Sequence, residues 1–447
     1  MDASNGLQPR LVGSTADLYQ GTTADTALRE ATRLGNEGEA TAPEITSKGN
    51  KLQFHDDSNY FTSAQWTPDG TTILSSSADN ILRSFVLPPD LLSPDSASPH
   101  TLTPYGSHRS PEPIYATTFH PCFGLQEPAS CLILASLRSL PIRLFSPFVP
   151  GILASYPLVS PTTEAYITPH SLLFSPENPN QFFAGSDSCL SVFDINRNGD
   201  GPVSKMRTTL SRRNHSAAGG GMKGIVSAMA ISGEGLLAAG TFTRWVGLYD
   251  GCGRGGEVGV FSIGSDEEKE AGTEGTGITQ VLWSACGRYL GTVERSSDGI
   301  SVWDIRGTGE RLAWLRGRNA VTQQRLGVDV LGGEVWGGGI DGVVRVWEGL
   351  GMTEGVVDPK WEFQAHDDPV TSTTLHPTGS VLATCSGQRH YNASLDPGSK
   401  ETESDTDSID ASSQSSRSSL STQSSVSANS DADPARAFDN SLKIWAL

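Results

Sequence analysis

The chain has 447 residues, 36% hydrophobic and 18% charged, with a formal net charge of −18. It opens polar, and no apolar run reaches the ~18 residues of a membrane-spanning helix, which predicts a soluble, intracellular protein. Six scattered cysteines without a C-x-x-C pair argue against a disulfide framework or a thiolate metal site.

Residues 1–46 are rich in Thr, Ala and Glu without apolar periodicity, and read as a disordered tail. Lys51-Leu52-Gln53-Phe54-His55 then alternates like a lone strand. From Phe61 onward, alternating runs separated by turn residues recur. The first passes through Gln65-Trp66-Thr67-Pro68-Asp69-Gly70 to Phe85, and others follow over 113–148, 165–195, 224–250, 277–305, 325–348 and 369–446. The span 251–276 holds an acidic run beside one short apolar strand, Val258 to Ile263, and is assigned outside this series. Residues 392–438 are Ser- and Asp-rich with few aliphatics, and read as a disordered acidic insertion that splits the last unit. The segments 1–47, 265–274 and 392–440 carry −4, −4 and −6, so tails and loops hold most of the negative charge.

Four runs share one shape: Asp187-Ser188-Cys189-Leu190-Ser191-Val192-Phe193-Asp194, Asp298-Gly299-Ile300-Ser301-Val302-Trp303-Asp304, Asp341-Gly342-Val343-Val344-Arg345-Val346-Trp347 and Asp439-Asn440-Ser441-Leu442-Lys443-Ile444-Trp445. A tight turn feeds an alternating strand that closes on an aromatic residue. This is one strand of a WD-type blade, and at about 40–45 residues per blade the chain suits seven. The expected fold is all-β: a seven-bladed WD40 β-propeller over residues 47–447. Lys51–His55 is expected to pair with the C-terminal strand and close the ring.

Catalytic signatures do not appear. Gly251-Cys252-Gly253-Arg254-Gly255-Gly256 fits G-x-G-x-x-G, but the following Glu257-Val258-Gly259-Val260-Phe261 is strand-like, whereas a dinucleotide site needs a helix. His120 and His376 precede prolines in turns. His366 occupies the position from which a WD-repeat histidine bonds the turn aspartate, here Asp439, with Trp445 in the same network. No metal, cofactor or enzymatic activity is predicted, and a monomer is expected. Arg244-Trp245, Arg295, Arg318-Asn319, Gln323-Gln324-Arg325 and Gln388-Arg389-His390-Tyr391 lie at strand ends or loops. Guanidinium, aromatic and amide groups gathered on one face suit single-stranded or looped RNA, and equally suit solvated charges and salt bridges.

Several segments together resemble the telomerase Cajal-body WD-repeat proteins and their fungal splicing-associated relatives. They are Gly224-Ile225-Val226-Ser227-Ala228, Gly240 through Tyr249, Gly277-Ile278-Thr279-Gln280, Asn319 through Arg325, and Leu382 through Arg389 directly before the acidic insertion. The resemblance implies a nuclear, non-catalytic scaffold, resident in the nucleus alone or also in the cytoplasm. It would bind small nuclear or Cajal-body RNA, telomerase RNA included, together with RNP proteins. By the same resemblance Arg244, Gln324, Arg325 and Arg389 face RNA, with Trp245 as a stacking partner. The alternative is a protein-interaction scaffold in pre-mRNA splicing that contacts spliceosomal components without touching RNA.

Overall fold

The structure, a computed structural model, describes residues 8–19, 59–93, 98–209, 221–264, 274–307, 309–389 and 438–447. Within them the chain forms seven sheets, antiparallel apart from one parallel pair in each of two, arranged as the blades of a β-propeller. The innermost strands are Phe61–Trp66, Ile114–Phe119, Ser171–Phe174, Val226–Ile231, Ile278–Trp283, Val328–Leu331 and Val370–Leu375, which number the blades one to seven. Each sheet buries side chains against its neighbours. Phe182, Phe193 and Tyr156 pack within blades two and three, while Trp303 packs with Val281 and Ala228 between blades five and four.

Small polar side chains tie blade to blade. Ser171 Oγ donates to the Val226 carbonyl at 2.8 Å, and Ser372 Oγ donates to the Ala64 carbonyl at 3.0 Å. The Trp66 and Trp283 indoles donate to the Thr374 and Ala230 carbonyls at 3.0 and 3.1 Å. The Gln280 amide receives the Val328 N–H at 3.0 Å and donates to the Val328 carbonyl at 2.6 Å, so one side chain satisfies both main-chain polar groups of Val328 across blades five and six. Buried backbone groups require such partners, and these bonds fix the rotation between sheets.

Ring closure departs from the expectation. The strand outside Leu442–Ala446 is Arg10–Ser14, with Arg10 opposite Ala446 and Leu11 opposite Trp445; Lys51–His55 lies outside the described residues. Val12, Leu18 and Tyr19 are buried in one cluster with Phe61, Phe85 and Ile444, so residues 10–19 belong to the fold and not to a tail. The physical reason is burial: Val12 is 3% exposed and Tyr19 fully covered, with the Arg83 guanidinium 4.9 Å above the Tyr19 ring. His100–Thr101 pairs in parallel on the far side of Arg10–Ser14.

A second departure concerns the segment assigned outside the series. Glu257–Ser262 is the outer strand of blade four, paired with Trp245–Tyr249. The glycine-rich run before it forms a short turn at Gly251–Gly253, and no helix follows. The 392–438 insertion lies outside the described residues up to 437, as do His390 and Tyr391.

Candidate nucleic-acid interface

The inner strands of all seven blades line a central channel, whose larger cavity has a volume of about 510 Å³. At one end the inner strands begin and the hairpins between second and third strands turn. Residues that directly follow the second strands include Arg138, Phe242, Arg295 and Gly387. Five consecutive blades bring Tyr115, His170, Phe242, Arg295 and Arg325 together there.

The Arg295 and Arg325 guanidinium carbons lie 4.9 and 5.7 Å from the Phe242 ring centroid. His170 meets the same ring edge-on at 5.7 Å and lies 4.7 Å from the Tyr115 ring. Both arginines are partly buried, and among the described residues neither guanidinium has a hydrogen-bond or carboxylate partner. Arg295 Nε is fully buried and unbonded among them. Burial lowers the Arg295 pKa; burial and then the neighbouring Arg295 charge push Arg325 down to about 10. Both remain cationic at neutral pH. Burial, then Arg325 and Arg295, hold His170 below its ordinary value, so its ring is neutral. Two partly buried like charges without a counter-charge among the described residues destabilise the empty fold and favour an anion.

The backbone here is held from below. Arg318, 1% exposed, donates to the Gly338 carbonyl at 3.2 Å and to the Leu326 carbonyl at 2.5 Å, fixing the residue after Arg325. Gln324 Nε2 donates to the Gly387 carbonyl at 2.9 Å, tying this lead-in to blade seven. Gly387 has φ +135°, and a Cβ there would lie 2.6 Å from Tyr60 Cβ, so the close approach requires glycine.

The predicted residues divide. Gln324 and Arg325 line the channel mouth. Arg389 is exposed on the same side, after the second strand of blade seven, next to Gln388, whose Nε2 donates to Asp368 at 3.2 Å. Arg244 is different. It fills the left-handed hairpin position (φ +65°) that Asn80 and Gly342 occupy elsewhere, and its guanidinium is engaged by carboxylates. Its Nε and Nη2 donate to Glu294 at 2.7 and 3.0 Å, and Nη1 donates to Glu274 at 2.7 Å. Trp245 packs beside Leu190, Met222 and Val226, leaving its ring in an interblade cluster. The surroundings of Arg244 and Trp245 are therefore those of structural residues, because both already have partners.

His366, Asp439 and Trp445 join in one network within blade seven. His366 Nδ1 is 3.2 Å from Asp439 and Nε2 is 2.8 Å from Thr384 Oγ1, which also accepts the Trp445 indole at 2.9 Å. Lys443 Nζ donates to Asp439 at 2.8 Å. Burial acts to raise the Asp439 pKa, but bonds from His366, Lys443 and Ser441 outweigh it and hold the carboxylate well below its usual range. This network fastens the hairpin.

Sequence reasoning did not single out Phe242, His170 or Tyr115. A signal was present: Phe242 and Arg295 occupy the same position, directly after the second strand, in consecutive blades.

A ring of seven blades of four or five strands, with hydroxyl and indole ties between them and a cationic, aromatic channel mouth, defines a WD-repeat propeller. Residues 47–85 and 357–390 match the family profile described as WD domain, G-beta repeat. The chain is 30% identical over 339 residues to rat telomerase Cajal body protein 1, covering 74% of this chain and 60% of the rat protein. It is 30% identical to the guanine nucleotide-binding protein negative regulator 1 of Schizosaccharomyces pombe over 77% of this chain and 83% of that one. The Drosophila melanogaster telomerase Cajal body protein 1 homolog is 27% identical over 74% of this chain and 58% of its own length. The chain belongs to the WD-repeat family that contains the telomerase Cajal body proteins and this fission-yeast relative. It spans less than two thirds of the Cajal body proteins it matches.

Proposed function

We propose that the chain is a non-catalytic nuclear scaffold that binds a small RNA, or the particle built on it, at the mouth of the central channel. The observation that carries this reading is the Arg295–Phe242–Arg325 cluster: two cations on one ring, with no carboxylate partner among the described residues. Relatives named as telomerase Cajal body proteins support an RNP as the partner. Arg325 and Arg295 supply phosphate contacts, while Gln324 and Arg389 flank them on the rim. RNA is preferred over a purely protein partner because partly buried guanidinium groups, unpaired among the described residues and beside aromatic rings, suit phosphate and base together.

The test is RNA recovered by crosslinking to the purified full chain. Arg325→Glu and Arg389→Glu should each remove most of it while leaving the melting temperature within a few degrees; unchanged recovery would overturn the assignment. Binding of a single-stranded RNA should weaken with salt, and Arg325→Gln should reduce the log–log slope by roughly 0.7, the increment for one phosphate contact on a single strand.

A further inference from the structure

We infer that the channel mouth takes one nucleotide turned out of its strand, with its phosphate between Arg295 and Arg325 and its base in the channel beside His170 and Tyr115. This rests on the RNA reading above and names the unit that enters the site. The two guanidinium groups are recessed: both arginines are partly buried and both lie against the Phe242 ring. A duplex or a continuously stacked strand would ride over the mouth; an unstacked nucleotide can reach down. The cavity of about 510 Å³, which Arg325 lines, falls within the ~300–1,000 Å³ typical of small-molecule sites, so a base and ribose fit within it.

The lining suits a base. Tyr115 is 36% exposed and lies 4.7 Å from His170, whose neutral ring presents a π face without adding charge. Ser63 and Gln65 line the same cavity from the adjoining blade one, and the Gln65 amide nitrogen makes no hydrogen bond among the described residues, leaving a donor for a base edge. Phe242 has a separate task. With two guanidinium groups 4.9 and 5.7 Å from its centroid and His170 at its edge, it orients those groups and is not itself a stacking surface. The chemical class is therefore a nucleoside monophosphate unit, and neither a bare anion nor an uncharged base satisfies the whole site.

The full chain is titrated calorimetrically at low salt with adenosine, guanosine, cytidine and uridine 5′-monophosphates, the four nucleosides and inorganic phosphate. At least one monophosphate should bind about tenfold or more tighter than both its nucleoside and phosphate, the gain expected from one base on an aromatic platform. Tyr115→Ala, at an exposed position, should bring that monophosphate close to the phosphate value, and Arg325→Gln should weaken both by about tenfold. Monophosphates binding no tighter than phosphate, or a Tyr115→Ala chain that keeps the full advantage, overturns the inserted nucleotide. A 15-residue single-stranded RNA run in parallel separates the two failures. RNA binding that Arg325→Gln weakens, with no monophosphate preference, overturns the insertion alone; no RNA binding overturns both readings.

Discussion

Thr15 and Leu442, 427 positions apart, exchange two hydrogen bonds of 3.0 Å: the Thr15 N–H donates to the Leu442 carbonyl, and the Leu442 N–H donates to Thr15 Oγ1. Early and late segments thus meet in one blade, beside the apolar cluster of Val12, Leu18 and Tyr19. Val12→Asp places an unpaired charge in that cluster and should cost at least ~3 kcal/mol. Its urea midpoint should drop sharply, and a chain lacking residues 8–19 should be recovered largely insoluble. Midpoints equal to that of the parent chain would show that the ring closes without this strand.

Arg244 and Arg325 should respond in opposite ways to loss of charge. Arg244→Gln leaves Glu294, 4% exposed, without its counter-charge, and breaking such a pair costs about 3–5 kcal/mol. Arg325→Gln removes one of two neighbouring cations and no observed bond, so stability should hold or rise. Equilibrium unfolding of the two variants side by side checks this, and a larger loss for Arg325→Gln would contradict the pairing seen here.

Acid should weaken the fold in the range where histidine titrates. Burial holds His366 below its ordinary value of 6.5, despite the Asp439 bond that acts to raise it, and burial also lowers His108, His120 and His170. The unfolded chain therefore takes up protons near 6.5 while the folded chain resists until lower pH. Stability is full above 6.5 and falls as pH drops below it. Asp439, held low, keeps its contribution until the pH falls below its ordinary value of 3.8. Urea midpoints should decrease from about pH 7.5 to about pH 5.5, and His366→Gln should show a shallower decrease.

Thiol reactivity should follow exposure. The Ser284 hydroxyl, 3.3 Å away, and then the Arg288 N–H favour the thiolate of exposed Cys286 and lower its pKa, whereas burial pushes Cys385 up to about 12. Iodoacetamide under native conditions should label Cys286 well before Cys385, with peptide mass spectrometry as the readout. Early labelling of Cys385 would mean that blade seven opens readily.

Blades were legible in the sequence because turn aspartates and alternating apolar residues repeat, and these cues act within a few residues. Arg10-Leu11-Val12-Gly13-Ser14 was missed for a different reason. Five residues including a glycine carry a faint strand pattern, and Lys51–His55 alternates more cleanly near blade one. Long loops add little to closure entropy, so proximity in sequence was a poor guide to which strand completes the ring. Glu257–Ser262 was hidden between a glycine-rich turn and an acidic run. The sequence leaves Arg244 open between an RNA contact and a salt bridge because its partners, Glu274 and Glu294, stand 30 and 50 positions away and only the fold brings them close. Arg295 and Arg325 stand out as basic residues at strand ends, but Phe242 sits in a hairpin turn where no periodicity marks it.

His100–Thr101, lying parallel against Arg10–Ser14, bears on synthesis at the ribosome. Leu442–Ala446 emerges only after more than 420 further residues have followed Thr15, roughly 20–90 s at common elongation rates. During that wait Gly13 and Ser14 can already pair with His100 and Thr101, and Val12 can pack with Phe61, Phe85 and Leu102. The early strand is thereby parked on blade one. One of its edges is shielded from neighbouring nascent chains until the last partner arrives.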